Sequence, residues 1–384
     1  MRVYLDNAAT TPVHPKVFEK MKPFLTEEFG NPSSIHSFGR VVRVAIEESR
    51  ETVAGFINAD PSEIYFTSGG TEANNFAIFG IAGSEFAESG RNKIISSKIE
   101  HHSVLDSVEE LNSRGFKNLW LEPDQGFKNY WDSEIRTHAA ETALVSLMHI
   151  NNETGAKNPV ENISRFLNKE KIFFHTDAVQ SFGKFPLDVK KLGVDSLTGS
   201  AHKINGPKGT GFAFVKRGTP ISPLLYGGSQ ERNRRGGTEN AAGIVGFAEA
   251  VRLAKESMQT NYDHVKKLKG LFETGIKSTE KEGILFNGSD ESSPYISSLT
   301  FKSGFFNNDS ESMLMYLDIN GVAASNGSAC TSGTIKASHV ILAMGYSPED
   351  AAGTLRFSLG SGNKMEEIEF ALEVIDKMVR KFRK

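Results

Sequence analysis

The sequence predicts an α/β protein with a mainly parallel sheet and two unequal lobes, and three observations lead to this prediction. The chain has 384 residues, more than a single hydrophobic core usually supports. Short apolar, β-rich segments alternate with stretches of helical spacing. Hydrophobic residues make up 38% and charged residues 24% of the chain, so a sizeable core can form. Strands that alternate with helices favour right-handed crossovers and parallel pairing.

The elements of the first lobe follow from local patterns. Apolar residues three and four positions apart predict a helix over residues 35–56. A strand over 63–67 leads through the turn Ser68-Gly69-Gly70 into a helix over 71–82. Further strands are predicted over residues 93–96, 143–150, 172–176 and 211–215. Because ligands of parallel sheets bind at the carboxyl ends of the strands, we expect the chemistry there.

The second lobe begins after the motif-dense part of the chain. A polar helical stretch over 255–269 leads into strands predicted over 296–301 and 355–359 and into a closing amphipathic helix over 365–382. The predicted large domain covers residues 13–257, and the small domain covers 1–12 together with 258–384.

Charge and cysteine content exclude several classes of protein. The 44 basic and 47 acidic side chains nearly balance, which argues against binding to nucleic acid or to an anionic membrane. No apolar run reaches the roughly 18 residues that span a bilayer, and Asp6 and Asn7 interrupt any signal-peptide core. The single cysteine, Cys330, excludes an intrachain disulfide. We therefore expect a cytoplasmic protein in a reducing compartment.

Lys203 is the first candidate for chemistry. It lies among small, hydroxyl and imidazole side chains in the segment over residues 200–209. A partly desolvated, electropositive site would keep its amine neutral, so that it could bond to a cofactor aldehyde. Lys208, between Pro207 and Gly209, is more typical of a turn, and the segment lacks the order of a phosphate-binding P-loop. An ordinary surface loop remains the alternative.

Three further segments carry polar residues at predicted strand ends or turns. Asp177 follows a strand and could face a heteroaromatic ring nitrogen, although a helix cap is the simpler interpretation. The turn before Thr71 could bind one phosphate at a helix start, or be only a capped turn. The pair His101-His102 could stack on a flat cofactor and move protons. A zinc site that adds His149, His175 and Asp177 lacks any known metal spacing.

Cys330 lies in a run of small and polar residues over positions 325–333. A lone cysteine is usually a small buried hydrophobe. The flexible, polar surroundings favour instead an exposed and reactive thiol.

Together these segments resemble the cysteine desulfurases, pyridoxal-phosphate (PLP) enzymes of the class V aminotransferase group, in the branch that serves nitrogenase maturation and iron-sulfur cluster assembly. The resemblance runs nearly end to end. It rests on YLDNAATTPV (4–13), GNPSSIHSFGR (30–40), FTSGGTEANN (66–75), EHHSVLDS (100–107), NNETG (151–155), HTDAVQSFGKFPLDV (175–189), SAHKINGPKG (200–209), RRGGTEN (234–240), GSACTSG (327–333) and LRFSLG (355–360). It implies the PLP-dependent transferase fold of type I, with a large domain on a mainly parallel sheet and a smaller α+β domain.

The resemblance also implies the residues of the PLP site. Lys203 carries the Schiff base, Asp177 faces the pyridine nitrogen and Gln180 approaches the ring oxygen. The expected phosphate ligands are Gly70, Thr71, Ser200 and His202. Thr238 is expected to reach the phosphate of the neighbouring subunit's cofactor, so the implied active unit is a homodimer.

For the substrate, the resemblance implies that L-cysteine is converted to L-alanine. His101 would stack over the ring and shuttle protons, while Asn152 and Arg356 would orient the substrate and bind its carboxylate. Cys330 would receive the sulfur as a persulfide and pass it to an acceptor or iron-sulfur scaffold protein.

Three other functions stay open at this point. A related lyase or aminotransferase, acting on selenocysteine or a kynurenine-like amino acid, would have no use for a mobile thiol in the GSACTSG segment. A non-enzymatic adaptor for sulfur assembly would have no use for Lys203, Asp177 and His101 together. A metal hydrolase built on the histidines is the third alternative, and metal analysis would test it.

Overall fold

The computed structural model describes residues 1–123, 130–280, 282–289, 291–327 and 337–384. Within them the strands are β1 (Val3–Tyr4), β2 (Ile64–Thr67), β3 (Lys93–Ser97), β4 (Lys117–Leu121), β5 (Thr142–Ser146), β6 (Phe173–Asp177), β7 (Ser196–Ser200), β8 (Gly211–Val215), β9 (Ile284–Asn287), β10 (Ile296–Phe301), β11 (Val322–Ala323) and β12 (Thr354–Ser358). The helices are α1 (Pro15–Met21), α2 (Pro23–Thr26), α3 (Ser37–Phe56), α4 (Gly70–Ser89), α5 (His102–Ser113), α6 (Asp132–His138), α7 (Val160–Glu170), α8 (Val189–Leu192), α9 (Gln230–Asn233), α10 (Ala241–Thr279), α11 (Ser310–Ile319), α12 (His339–Ala343), α13 (Pro348–Ala351) and α14 (Met365–Phe382).

A seven-stranded sheet organises the first lobe, in the order β2-β8-β7-β6-β5-β3-β4. The neighbours from β7 to β4 all pair in parallel, and β8 pairs antiparallel with both β2 and β7. The strands that pair in parallel therefore end at the same edge of the sheet, where their following loops meet.

Helices cover both faces of this sheet, because alternate residues of each strand point to opposite sides. On one face Ile95, Val145 and Phe174 pack in a cluster with side chains of α3, α7 and the first part of α10. On the other face Ile94 and Leu144 pack with side chains of α4 and α5. Burial on both faces explains why strands such as β5 and β8 are largely apolar along their whole length.

The second lobe is built on an antiparallel sheet in the order β12-β10-β9. Its core gathers apolar side chains of α11, α14 and the second part of α10. The start of the chain joins this lobe, since β1 pairs in parallel with β11 and Val3 and Leu5 lie in the same core. The division into residues 13–257 and 1–12 with 258–384 stays a prediction, and its boundary lies inside α10.

The predicted fold class, α/β with a mainly parallel sheet, is confirmed, and several predicted elements differ in detail. The strand predicted over 143–150 is observed as Thr142–Ser146, and beyond it the backbone N–H groups of Leu147 and His149 still donate to the carbonyls of His175 and Asp177 on the neighbouring strand. The strand at 211–215 is antiparallel, because only a short loop joins it to β7. None of the helices in the described part of the chain is both long enough and apolar enough to cross a membrane.

Candidate active site

A cavity of about 470 Å³ opens at the carboxyl edge of the large sheet, between the two lobes. Ten of the residues predicted from the sequence line it: Gly70, Thr71, His101, Asn152, Asp177, Gln180, Ser200, His202, Lys203 and Arg356. Most of them follow the ends of β2, β3, β5, β6 and β7, as expected for a parallel sheet. Arg356 comes from β12 of the second lobe.

Lys203 ends a single 3-10 turn, Ala201–Lys203, directly after β7. Its Nζ donates to the backbone carbonyls of Ala8 and Ala9, at 2.5 and 2.7 Å. Burial lowers the pKa of Lys203 to about 7, helped by the positive charges of Lys184 and Arg356 and opposed by Asp177 and Asp6. A large fraction of this amine is therefore neutral near pH 7, as a nucleophilic lysine requires.

This lowered pKa predicts how Lys203 reacts in protein stripped of any bound aldehyde. Only the neutral amine reacts with an acylating reagent, so labelling of Lys203 should rise with pH, reach half its maximum near pH 7 and level off above it. Labelling followed by peptide mass spectrometry measures this, with a lysine model peptide of pKa about 10.4 as the reference. Lys184→Met should move the midpoint upward, because it removes a buried positive charge. A midpoint near that of the model peptide would contradict the assignment.

Asp177 ends β6 with its carboxylate held on both oxygens. Oδ1 accepts the backbone N–H of Val179 at 2.9 Å, and Oδ2 accepts an amide N–H of Asn74 at 2.7 Å. Gln180, one turn further on, donates Nε2 to the carbonyl of Ala8 at 2.9 Å. The carboxylate is thus fixed in one orientation at the cavity wall.

The start of α4 and the end of β7 form a cradle of small residues and hydrogen-bond donors. A side chain in place of Gly70 would come within 2.8 Å of Val179 and lie 3.8 Å from the Cβ of Ser200. Ser200 Oγ is buried and has no partner among the described residues. Burial, with the charge of Lys203, lowers the pKa of His202 to about 4, so its ring is neutral at pH 7. An unsatisfied hydroxyl beside a helix N-terminus fits a phosphate group.

His101 precedes α5 and caps it. Its Nδ1 accepts the backbone N–H of Ser103 at 3.1 Å and lies 2.8 Å from Ser103 Oγ. Although the ring is exposed at the cavity surface, the surrounding protein desolvates it and so lowers its pKa, while the negative charge of Asp177 opposes this shift.

Arg356 and Asn152 form the side of the cavity that faces the second lobe. Arg356 is 5% exposed, and its guanidinium donates to Asp6 Oδ1 and to the carbonyl of Asn152, both at 2.8 Å. Within the described residues, Nε of Arg356 and Oδ1 of Asn152 are buried without a partner. A buried donor and acceptor of this kind suit a ligand that carries a carboxylate and a second polar group.

One predicted residue lies outside the cavity, and another is not described by the structure. Thr238 is exposed and lines a separate small pocket with Arg235 and Glu239. Cys330 lies outside the described residues.

The zinc alternative finds no support in the described ranges, where no group of three or more His, Cys, Asp and Glu side chains could hold a metal ion. His149 and His175 are instead buried beside the hydroxyls of Ser181 and Ser146.

Sequence reasoning missed several residues that line or support the cavity, above all Asp6, Ala8, Ala9 and Asn74. The first three belong to the motif over 4–13, for which no role was inferred. Asn74 lies four residues after Gly70 on α4, so helical spacing places both on one face. That spacing is the signal that could have identified it.

Comparison with known proteins gives one consistent result. The family model described as aminotransferase class-V matches residues 3–370. The chain is 45% identical to the cysteine desulfurase IscS of Dictyoglomus turgidum, over 99% of this chain and 95% of that protein. It is 43% identical to the putative cysteine desulfurase IscS 1 of Bacillus subtilis, with 99% of both chains covered.

Solved structures agree with these relatives. A structure titled NifS-like protein matches with a TM-score of 0.89 and 35% identity, covering 100% of both chains. A structure titled SspA in complex with cysteine matches with a TM-score of 0.80 and 33% identity, covering 94% of this chain and 99% of that one.

Proposed function

The chain belongs to the aminotransferase class-V family, and on that premise we propose that it is a PLP-dependent cysteine desulfurase. In the proposed reaction, the thiolate of Cys330 attacks the sulfur of bound L-cysteine. An S–S bond forms as the Cβ–S bond breaks, and a proton is delivered to the carbon. The products are L-alanine and a persulfide on Cys330, so atoms and electrons balance without an added oxidant or reductant.

One observation carries this proposal. The amine of Lys203, the carboxylate of Asp177 and the guanidinium of Arg356 line the same cavity, although they come from the turn after β7, from β6 and from β12. A neutral amine, a fixed carboxylate and a buried cation are the groups needed to hold an aldehyde cofactor and an amino acid together.

The residues present fit pyridoxal phosphate. Lys203 would bond to the aldehyde, Asp177 would pair with the ring nitrogen, and Gln180 would approach the ring oxygen. The cradle of Gly70, Thr71, Ser200 and His202 would hold the phosphate, for which the unsatisfied Ser200 hydroxyl is the supporting observation. When bound, the cofactor supplies an electron-poor ring that makes the α-proton of an amino acid removable.

The chain's own residues would handle the substrate. Arg356 would bind its α-carboxylate, and Asn152 would orient it. Burial lowers the pKa of Lys203 to about 7, so its amine can take up and release protons close to the reacting carbons. A thiolate at Cys330 is required because sulfur is the atom attacked, and thiolates react with sulfur far better than alcohols do.

Product analysis tests the proposed reaction directly. With L-cysteine and a reductant in excess, alanine and sulfide should form in equal amounts. A lyase that forms pyruvate, or an aminotransferase that needs a keto acid, would give different products. Sulfide without alanine would exclude a desulfurase.

Arg356→Lys should mainly weaken substrate binding. The KM for L-cysteine should rise roughly 10- to 100-fold with a smaller change in kcat, since lysine cannot reproduce the guanidinium's paired bonds to a carboxylate. Cysteamine, which lacks the carboxylate, is the matched control, and on it the variant and the parent enzyme should perform alike. An unchanged KM for L-cysteine would refute carboxylate binding by Arg356.

We further propose that the active unit is a homodimer in which Thr238 reaches the neighbouring subunit's cofactor. In support, Thr238 is exposed and several large apolar side chains are exposed as well, namely Phe29, Ile35, Phe38 and Tyr226. The molar mass in solution tests this.

We also propose that the protein passes its sulfur to an iron-sulfur scaffold or another acceptor protein, which persulfide-transfer assays can check. A cytoplasmic location is a further proposal, and cell fractionation tests it.

A further inference from the structure

Asn74 is a buried polar residue at the cavity wall for which the proposed chemistry has no role so far. Its side chain is 1% exposed and contacts three other elements. Nδ2 lies 2.7 Å from Asp177 Oδ2, at the end of β6, and 2.9 Å from Ser103 Oγ, in α5. Oδ1 lies 2.5 Å from Thr198 Oγ1, in β7. The amide therefore joins α4 to both the strand end that carries Asp177 and the helix that His101 caps.

The direction of each of these hydrogen bonds is determined by chemistry. The carboxylate of Asp177 only accepts, so an N–H of Asn74 must point at it. The amide oxygen only accepts, so Thr198 must donate its hydroxyl proton to Oδ1. The second N–H of Asn74 then points at Ser103 Oγ, which accepts it. This arrangement uses both N–H groups of the amide and admits no flipped alternative.

The same network determines which nitrogen of His101 carries a proton. Because Ser103 Oγ already accepts from Asn74, its own proton is free to point at His101 Nδ1, 2.8 Å away. The backbone N–H of Ser103 points at the same nitrogen. Nδ1 is thus an acceptor, and the ring proton lies on Nε2. The positive end of the 12-residue helix α5 also favours the neutral ring.

We propose that Asn74 is a positioning residue, which holds the carboxylate of Asp177 and the imidazole of His101 in one hydrogen-bonded arrangement and so presents Nε2–H of His101 to the cavity. The inference rests on the proposed function, in which these two residues face the cofactor ring. His101 then serves as a neutral hydrogen-bond donor. Proton transfer to and from the substrate carbons falls chiefly to Lys203.

Several charged or titratable groups act on the two positioned residues, and the test must allow for them. Glu100, His101 and His175 lie close enough to interact with Asp177. Lys203, His102 and His339 act on His101. Desolvation raises the pKa of Glu100 well above its usual range, and the negative charge of Asp177 raises it further.

Two substitutions at one position separate positioning from simple packing. Asn74→Ala removes both N–H donors, and kcat should fall about 10- to 100-fold with KM changed by less than about 3-fold. Asn74→Asp keeps the shape but places a second carboxylate against Asp177. The control is Asn75→Ala, the next residue of the same helix, which does not line the cavity and should behave like the parent enzyme. Parent-like kcat in both Asn74 variants would overturn the proposal.

The pH profile of Asn74→Asp gives a readout that a packing defect cannot produce. Two carboxylates at hydrogen-bond distance share a proton near neutral pH, which weakens the charge available to the ring nitrogen. Raising the pH removes the shared proton, so activity should recover at alkaline pH and the acidic limb should shift upward. A uniform loss of kcat at every pH would mean that Asn74 only supports the fold, and would count against positioning.

The tautomer of His101 can be read without any turnover, which keeps this inference separate from the proposed function. The purified protein, labelled with [15N]histidine, contains ten histidines, and His101→Gln identifies the signal by its absence. We expect Nδ1 of His101 to be unprotonated and Nε2 protonated at pH 8, above the ordinary pKa of imidazole, in the parent protein, with the preference weakened in Asn74→Ala. A proton on Nδ1 in the parent would overturn the inference even if desulfurase activity is found. If the protein shows the expected tautomer but no desulfurase activity, the inference about Asn74 and His101 holds and only the proposed function is refuted.

Discussion

Replacing Lys203 by alanine should reduce alanine formation from L-cysteine by a factor on the order of 10³ or more. Among the described residues, Lys203 is the only lysine that lines the cavity, and burial lowers its pKa to about 7. No other cavity residue in that part of the chain offers a neutral primary amine. Alanine release, quantified by chromatography, is the measurement.

Two further variants sharpen the Lys203 experiment. Lys203→Arg keeps a positive charge but cannot become neutral, because arginine stays protonated in proteins. It should therefore be as inactive as the alanine variant. Lys208→Ala alters an exposed lysine of the same segment that does not line the cavity, and it should retain near-parent activity. Substantial turnover by Lys203→Arg would show that charge, and not a reactive amine, is what position 203 supplies.

Cys330→Ser should bind L-cysteine normally and yet form alanine and sulfide at least about 100-fold more slowly, because a serine hydroxyl is a poor nucleophile toward sulfur. Binding is followed by the change in the visible spectrum on adding L-cysteine, and turnover by alanine release. The assay should contain no thiol other than L-cysteine itself, since another small thiol could accept the sulfur in place of the protein.

The single cysteine of the chain provides a matched control for Cys330→Ser. Treating the parent protein with iodoacetamide alkylates that one thiol and should reproduce the loss of activity. The same treatment should leave the residual activity of Cys330→Ser unchanged. Alanine formation that survives both the substitution and the alkylation would refute Cys330 as the sulfur acceptor.

The local sequence pattern was sufficient to predict the helices in which buried apolar residues recur every three or four positions. The helix predicted over 35–56 is observed as Ser37–Phe56, and the closing helix over 365–382 is observed as Met365–Phe382. Both bury one apolar face, so their period is visible in the sequence. Strand β7, Ser196–Ser200, was missed because its SLTGS sequence is mostly small and polar, although the strand is fully buried.

The site residues divide in a similar way. The chemical types near strand ends could be selected from the sequence, as for Asp177 and Lys203, since parallel sheets bring those ends to one edge. The contribution of Asp6, Ala8 and Ala9 could not be predicted from the sequence. These residues reach the cavity only when β1 pairs with β11 and the start of the chain crosses to Lys203. The lowered pKa of Lys203 has the same origin, since burial depends on what the fold packs around the amine.

By itself the sequence determined the α/β class, the order of the motifs and the candidates for the reactive groups, because these depend on residue type and short-range spacing. Only the tertiary structure decided that residues from position 6 to position 356 share one cavity, and that Asn74 connects Asp177 to His101 through the hydroxyl of Ser103. Hydrogen bonds between side chains depend on tenths of an ångström between separate elements. Such distances arise from the packing of the whole chain, so no local pattern encodes them.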